Sequence, residues 1–161
     1  MERRRKRVEG WLLLAGLGLF GLQLPAGEVH GREARRYVGS AVCGECHDHE
    51  YQRFVEHAKK AGSYESVATM RNGLTEAEYR GCLECHATGY GKPGGFVSVD
   101  QTPQLKDAGC EVCHGPGSLH VETNDRADIQ AELTLETCKR CHNEERVRSF
   151  DFKPLLFGGA H

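Results

Sequence analysis

Cysteine and histidine recur in one fixed pattern, Cys-x-x-Cys-His, at four places in the chain. The copies are CGECH, CLECH, CEVCH and CKRCH, with the cysteine pairs Cys43 and Cys46, Cys82 and Cys85, Cys110 and Cys113, and Cys138 and Cys141, followed by His47, His86, His114 and His142. All eight cysteines belong to these copies. Paired thiols of this kind can bind zinc, form disulfides, act as a redox dithiol or attach haem.

The histidine that directly follows each second cysteine separates these chemistries. Zinc ribbons, disulfides and thioredoxin-like motifs do not need it, whereas covalent haem attachment does. In that chemistry the two thiols add to the vinyl groups of the haem, and the adjacent imidazole binds the iron as proximal ligand. The sequence therefore predicts four covalently bound c-type haems, and two Cys₄ zinc sites are the alternative.

The N-terminal segment predicts export. A basic stretch, MERRRKR, precedes an apolar run of 14 residues at positions 11–24. That run is shorter than the about 20 residues of a membrane-spanning helix and is typical of a signal peptide. We expect residues 1–26 to be a signal peptide, or else an uncleaved N-terminal anchor, and residues 27–161 to form one tetrahaem domain in the periplasm without a membrane span.

The composition of residues 27–161 points to a core that side chains alone do not supply. Leu, Val, Ile and Phe make up 24 of these 135 residues, which is below the fraction at which disorder becomes the expectation. Porphyrin rings would add the missing apolar surface. The segment has a formal charge of −5, which argues against binding to nucleic acid or to an anionic membrane.

Local patterns predict a mainly α fold with long loops and little or no β structure, built around four closely packed haems. We expect one helix from Ser40, as its cap, to Gly62, and a second helix opened by a Thr75 and Glu78 capping box. A third helix should end at the fourth haem site. The Gly-rich stretch 88–95 excludes a helix, and residues 95–99 allow at best a short strand.

Five histidines lie outside the attachment motifs: His30, His49, His57, His120 and His161. On a continuous helix His57 would lie about 15 Å from His47, so it cannot reach across the same haem. His120 is likewise too close in sequence to His114 to cap that haem. We therefore expect His57 and His120 to bind the irons of other haems, His49 and His30 to lie in solvent, and Met70 to pack rather than to bind iron.

Longer stretches resemble the tetrahaem cytochrome c-554 family and related exported multihaem proteins. These stretches are YVGSAVCGECH, GCLECHATGYGKPGG, GCEVCHGPGSLH and FDFKPLLFGGAH, over residues 37–161. The resemblance implies that His120 is the distal ligand of the first haem, His57 of the third and His161 of the fourth. It also implies that the haem held by His86 keeps an open face.

Two functions are compatible with these expectations. The first is an electron carrier that transfers electrons between a donor and an acceptor redox protein, neither of which the sequence identifies. The second is a reductase of nitric oxide or hydroxylamine at the open haem of His86, an activity that would be secondary to electron transfer. The absence of a Cys-x-x-Cys-Lys motif distinguishes the chain from multihaem nitrite reductases, and carrier is the leading hypothesis.

Overall fold

The computed structural model describes residues 35–143, all of which belong to one compact unit, Arg32–His161. Seven α-helices occur in this part of the chain: α1 (Ser40–Gly44), α2 (Asp48–His57), α3 (Ser63–Met70), α4 (Glu76–His86), α5 (Cys110–His114), α6 (Ser118–Thr123) and α7 (Leu135–Lys139). Short 3₁₀ turns lie at Lys59–Gly62, Arg71–Gly73, Pro103–Leu105 and Arg126–Asp128. No strand is formed between residues 35 and 143, so the predicted mainly α fold is confirmed.

The predicted continuous helix from Ser40 to Gly62 is wrong, because the chain turns at residues 45–47. His47 has φ −110° and ψ 52°, outside the helical region, and α2 starts only after it. The side chain of Tyr51 packs so tightly on Gly44 that a Cβ there would lie 2.7 Å from the ring. Gly44 thus allows α2 to fold back against α1, which a larger residue would prevent.

Ser40 does not cap α1, contrary to expectation. The N-cap is Gly39, whose φ of 88° favours glycine. The Ser40 hydroxyl instead accepts a hydrogen bond from the backbone N–H of Cys110 at 3.1 Å. The residue therefore joins the first attachment motif to the third.

The capping box at Thr75 and Glu78 is confirmed. The Thr75 hydroxyl accepts from the Glu78 N–H at 3.3 Å, and the Glu78 carboxylate accepts from the Thr75 N–H at 2.8 Å. These hydrogen bonds fix the start of α4, the longest described helix, which carries the second attachment motif at its C-terminal end.

The apolar core is small and lies between α3, α4 and the loop that follows. It consists of Val67, Leu83, Ala87, Phe96 and Leu105, with Tyr37, Tyr64, Tyr79, Cys82 and Tyr90 packed around it. The loop is closed by backbone hydrogen bonds from Thr88 to Leu105 and from Phe96 to Thr88, both 2.9 Å. Residues 95–99 form no strand.

Two glycines let this loop fold tightly. At Gly95 a Cβ would lie 1.8 Å from the carbonyl oxygen of Gly89, and at Gly89, with φ 67°, it would meet the ring of Tyr37 at 2.6 Å. The Gly-rich stretch is therefore a compact turn against Tyr37. It is not helical, as predicted.

No helix within residues 35–143 combines the length and the apolar sequence that crossing a bilayer requires. The predicted signal peptide or anchor, residues 1–26, lies outside the described residues, as do His30 and His161.

Candidate haem attachment sites

Each attachment motif is built on a helical turn, and this explains its spacing. We number the sites one to four in chain order. At site one the N–H of His47 donates to the carbonyl of Cys43 at 2.9 Å, and at site four the N–H of His142 donates to that of Cys138 at the same distance. Residues i, i+3 and i+4 share one face of such a turn. The two thiols and the imidazole of each site can therefore face the same haem.

The four sites are neighbours in an order that differs from their order in the chain. The thiols of Cys43 and Cys110 lie close enough to affect each other's protonation, so sites one and three are neighbours. The same holds for the thiols of Cys85 and Cys141, so sites two and four are neighbours. Sites three and four are joined by Arg140, whose guanidinium donates to the Val112 carbonyl at 3.0 Å. We call this sequence of sites, one–three–four–two, the attachment row.

The thiols influence one another's protonation in this arrangement. The interaction with the Cys110 thiol, together with burial, raises the pKa of Cys43. The same interaction lowers the pKa of Cys110 to about 6. Burial and the interaction with the Cys85 thiol raise the pKa of Cys141 to about 12. No disulfide joins any of the eight motif cysteines.

Three histidines are oriented by their own backbone surroundings. Nδ1 of His86 lies 2.9 Å from the carbonyl oxygen of Ser63, Nδ1 of His114 lies 2.8 Å from that of Gln130, and Nδ1 of His120 lies 2.9 Å from that of Asp125. Because a carbonyl only accepts, each Nδ1 carries the proton and each Nε2 keeps its lone pair. Such a second partner is what positions a metal-binding imidazole.

The imidazoles of His47 and His120 have the spacing of two ligands on one iron. Their ring centroids are 6.2 Å apart and their planes differ by 22°. Two metal–nitrogen bonds of about 2 Å and two ring radii of about 1.1 Å add up to about 6 Å. The residues present therefore fit a haem at site one with His47 and His120 on its two faces.

The other spare ligands are placed less specifically. His57 is exposed at the end of α2, and its Nε2 lies 3.8 Å from the carboxylate of Glu56. Its role toward the haem of His114 stays a prediction, as does that of His161, which lies outside the described residues. His49 is exposed, as expected. Met70 is 51% exposed rather than packed.

Glu111 is a buried residue that the sequence did not single out. It stands between the cysteines of site three and is 2% exposed. Its carboxylate accepts from the backbone N–H groups of Val38 at 3.0 Å, Gly39 at 2.8 Å and Gly117 at 2.8 Å. A charged residue between two cysteines is usually solvated, so nothing in the motif indicated that it ties the segment before site one to the loop after site three.

A cavity of about 400 Å³ lies beside α4, and Leu83 of the second attachment motif is one of its lining residues. Aromatic side chains also line it, with a hydrogen bond of 3.1 Å between the hydroxyls of Tyr64 and Tyr79. That bond, followed by burial, raises the pKa of Tyr79 to about 12. The cysteines and the histidine of the second motif do not line the cavity.

Residues 35–143 do not contain a preformed zinc site. Among residues 35–143, no three His, Cys, Asp or Glu side chains converge where they could hold a metal ion. The close contacts between cysteines instead join different motifs in pairs.

Comparison with known proteins points to one family. A family model described as "Cytochrome c554 and c-prime" matches residues 42–115, which include sites one to three. The chain is also similar to "Cytochrome c-554" of Nitrosomonas europaea (strain ATCC 19718), with 32% identity over 91 residues. This match covers 50% of the chain and 39% of the relative, so the chain spans well under half of that protein's length. No solved structure matches the chain.

Proposed function

We propose that the chain is a c-type cytochrome that holds four haems and transfers electrons between redox proteins in the periplasm, because it is similar to the cytochrome c554 family over residues 42–115 and to a cytochrome c-554 over 91 residues. The eight motif cysteines would attach the haems, and His47, His86, His114 and His142 would be the proximal ligands. Bound haem supplies one-electron chemistry at iron.

The observation that carries this proposal is the attachment row. Thiols of different motifs lie close enough to affect each other's protonation, and Arg140 of site four contacts Val112 of site three. Electron transfer requires short distances between redox groups, whereas a single catalytic centre would not need four adjoining sites. The row therefore favours a carrier.

The histidines would support electron transfer because their rings are held in a fixed orientation. The Nδ1 bonds to the carbonyls of Ser63, Gln130 and Asp125 hold three rings in one tautomer and orientation. At site one, His47 and His120 would close both faces of the group. A site closed in this way rearranges little when its charge changes, which suits repeated electron exchange.

The second candidate is a reductase of a small nitrogen compound at the haem of His86. It rests on the number of histidines, because the resemblance assigns distal ligands to three haems and leaves this one without.

Electron paramagnetic resonance of the oxidised holoprotein, made in a host with c-type haem maturation, tests both candidates. Mass spectrometry first counts the haems, and four are expected. Four low-spin haems that do not respond to added nitric oxide would support a carrier alone. A high-spin signal from about a quarter of the iron, lost on adding nitric oxide, would support the open haem. Protein without haem iron would overturn the whole proposal.

A further inference from the structure

Arg140 connects two attachment sites and belongs to one of them. It stands directly before Cys141, inside the motif of site four. Its terminal nitrogen donates to the carbonyl of Val112, between the cysteines of site three, at 3.0 Å. Its Nε donates to the carbonyl of Thr137 at 3.3 Å. The guanidinium is therefore held at the junction of sites three and four.

The charge of Arg140 is not neutralised by a neighbouring acid. Both of its hydrogen bonds go to uncharged carbonyls, and within residues 35–143 no carboxylate forms an ion pair with it. The preceding residue differs in this respect, since Lys139 pairs with Glu136 at 2.9 Å. Arg140 thus brings to the junction a positive charge that no carboxylate of the described residues offsets.

The guanidinium lies beside the attachment atoms of both sites. Arg140 directly precedes Cys141, and Val112, whose carbonyl it contacts, directly precedes Cys113. The positive charge of Arg140 is therefore held next to the thiols that would attach haem at sites three and four.

We propose that Arg140 raises the reduction potential of the haems attached at sites three and four. The inference rests on the proposed function. Reduction adds one electron to a haem, so a fixed positive charge nearby favours the reduced form by Coulombic attraction. Arg140 would thereby set where electrons reside along the row, as a positioning residue that neither attaches haem nor binds iron.

The expected effect is moderate, because Arg140 is exposed and solvent screens its charge. For a charge within about 10 Å of a haem, Coulomb's law with a dielectric constant of about 40 gives roughly a three- to tenfold change in the reduction equilibrium. A tenfold change corresponds to 59 mV for one electron. Such shifts are resolved by optical potentiometry.

The test compares the holoproteins Arg140→Gln and Arg140→Lys with the unchanged protein, each after its haems have been counted. We expect Arg140→Gln to lower one or two of the four midpoint potentials, with a three- to tenfold change in the reduction equilibrium of each affected haem. Arg140→Lys keeps the charge and should retain most of each potential. The difference between Arg140→Gln and the unchanged protein should shrink as the salt concentration rises.

Four haems with unchanged potentials in Arg140→Gln would overturn the inference and leave the carrier proposal intact. A loss of potential in Arg140→Lys equal to that in Arg140→Gln would also overturn it, since geometry rather than charge would then be responsible. Absence of haem from the unchanged protein would instead overturn the carrier proposal.

Discussion

Ser63 and His86 bind each other through two reciprocal hydrogen bonds. The Ser63 hydroxyl donates to the carbonyl of His86 at 2.9 Å, and Nδ1 of His86 donates to the carbonyl of Ser63 at 2.9 Å. The same hydroxyl accepts from the N–H of Ala108 at 2.8 Å. The first residue of α3 thus holds both the end of α4 and the segment that leads into site three.

Replacing Ser63 by Ala should destabilise the holoprotein without removing the proximal ligand of site two. The substitution leaves the N–H of Ala108 buried without its acceptor, at a cost of about 1–3 kcal/mol, whereas the backbone carbonyl that orients His86 remains. Denaturant unfolding measures the first effect and the optical spectrum the second. Ser66→Ala, on the exposed side of the same helix, is the matched control. A spectrum that changes as much as the stability would contradict this separation of roles.

Replacing His120 by Ala should open one haem face. We expect the low-spin signal of one haem to be converted to high spin, because His120 is the residue spaced to share an iron with His47. Added imidazole should restore the low-spin signal. His49→Ala, an exposed histidine near the same site, should leave the spectrum unchanged. Electron paramagnetic resonance distinguishes the outcomes, and an unaltered His120→Ala spectrum would exclude the proposed ligand pair.

Replacing Glu111 by Gln should weaken the contact between the segment before site one and the loop after site three. Gln offers one acceptor oxygen, so its NH₂ group must face an N–H group that the carboxylate now accepts. We expect a loss of about 2–3 kcal/mol in the free energy of unfolding. Glu122→Gln, at a residue that is 58% exposed and lies 4.0 Å from Arg36, should have little effect. Equal losses in the two variants would show that burial of Glu111 does not matter.

The capping box predicts a small pH dependence of stability. Hydrogen bonds from the Thr75 side chain and backbone lower the pKa of Glu78 below its ordinary value of 4.5. The folded protein thus binds this proton less tightly than the unfolded chain. The contribution is complete above about pH 4.5 and is lost as the pH falls through the lowered value. The difference in the free energy of unfolding between the unchanged protein and Glu78→Gln should therefore vanish on acidification. The control Glu84→Gln should not show this loss of a difference at low pH.

Protein made without haem attachment should be largely unfolded. Only eight hydrophobic residues are buried between residues 35 and 143, and three of them are alanines. Burial of so little apolar surface does not offset the conformational entropy of a chain of this length. Far-ultraviolet circular dichroism of the chain expressed without the maturation system checks this. A cooperative, native-like melt would show that the side chains suffice.

The attachment motifs and the helices around them were predictable because their signals are local. Adjacent thiols and imidazole share a helical turn, and the Thr75 and Glu78 pair marks a helix start wherever it occurs. The break after Gly44 was not predictable, since it depends on the ring of Tyr51 packing on that glycine. The prediction that Ser40 caps a helix was wrong for a similar reason. Its hydroxyl accepts from the N–H of Cys110, a residue distant in sequence, and does not cap the helix.

The burial of Glu111 and the order of sites in the attachment row were also not predictable, because both depend on contacts between residues distant in sequence. The N–H groups that justify burying the Glu111 carboxylate come from residues 38, 39 and 117, and only the folded chain brings them together. The spacings between the motifs likewise predicted that the four sites lie close together, but not which sites are neighbours.

The order of neighbours in the attachment row makes the two halves of the chain depend on each other. A cut between the second and third motifs would separate Cys43 from Cys110 and Cys85 from Cys141, and only the contact between sites three and four would remain within one fragment. Both separated contacts close long loops, so each can form only when the later part of the chain is present. Unlike the units of a modular array, the first two sites acquire their neighbours only from the second half of the chain.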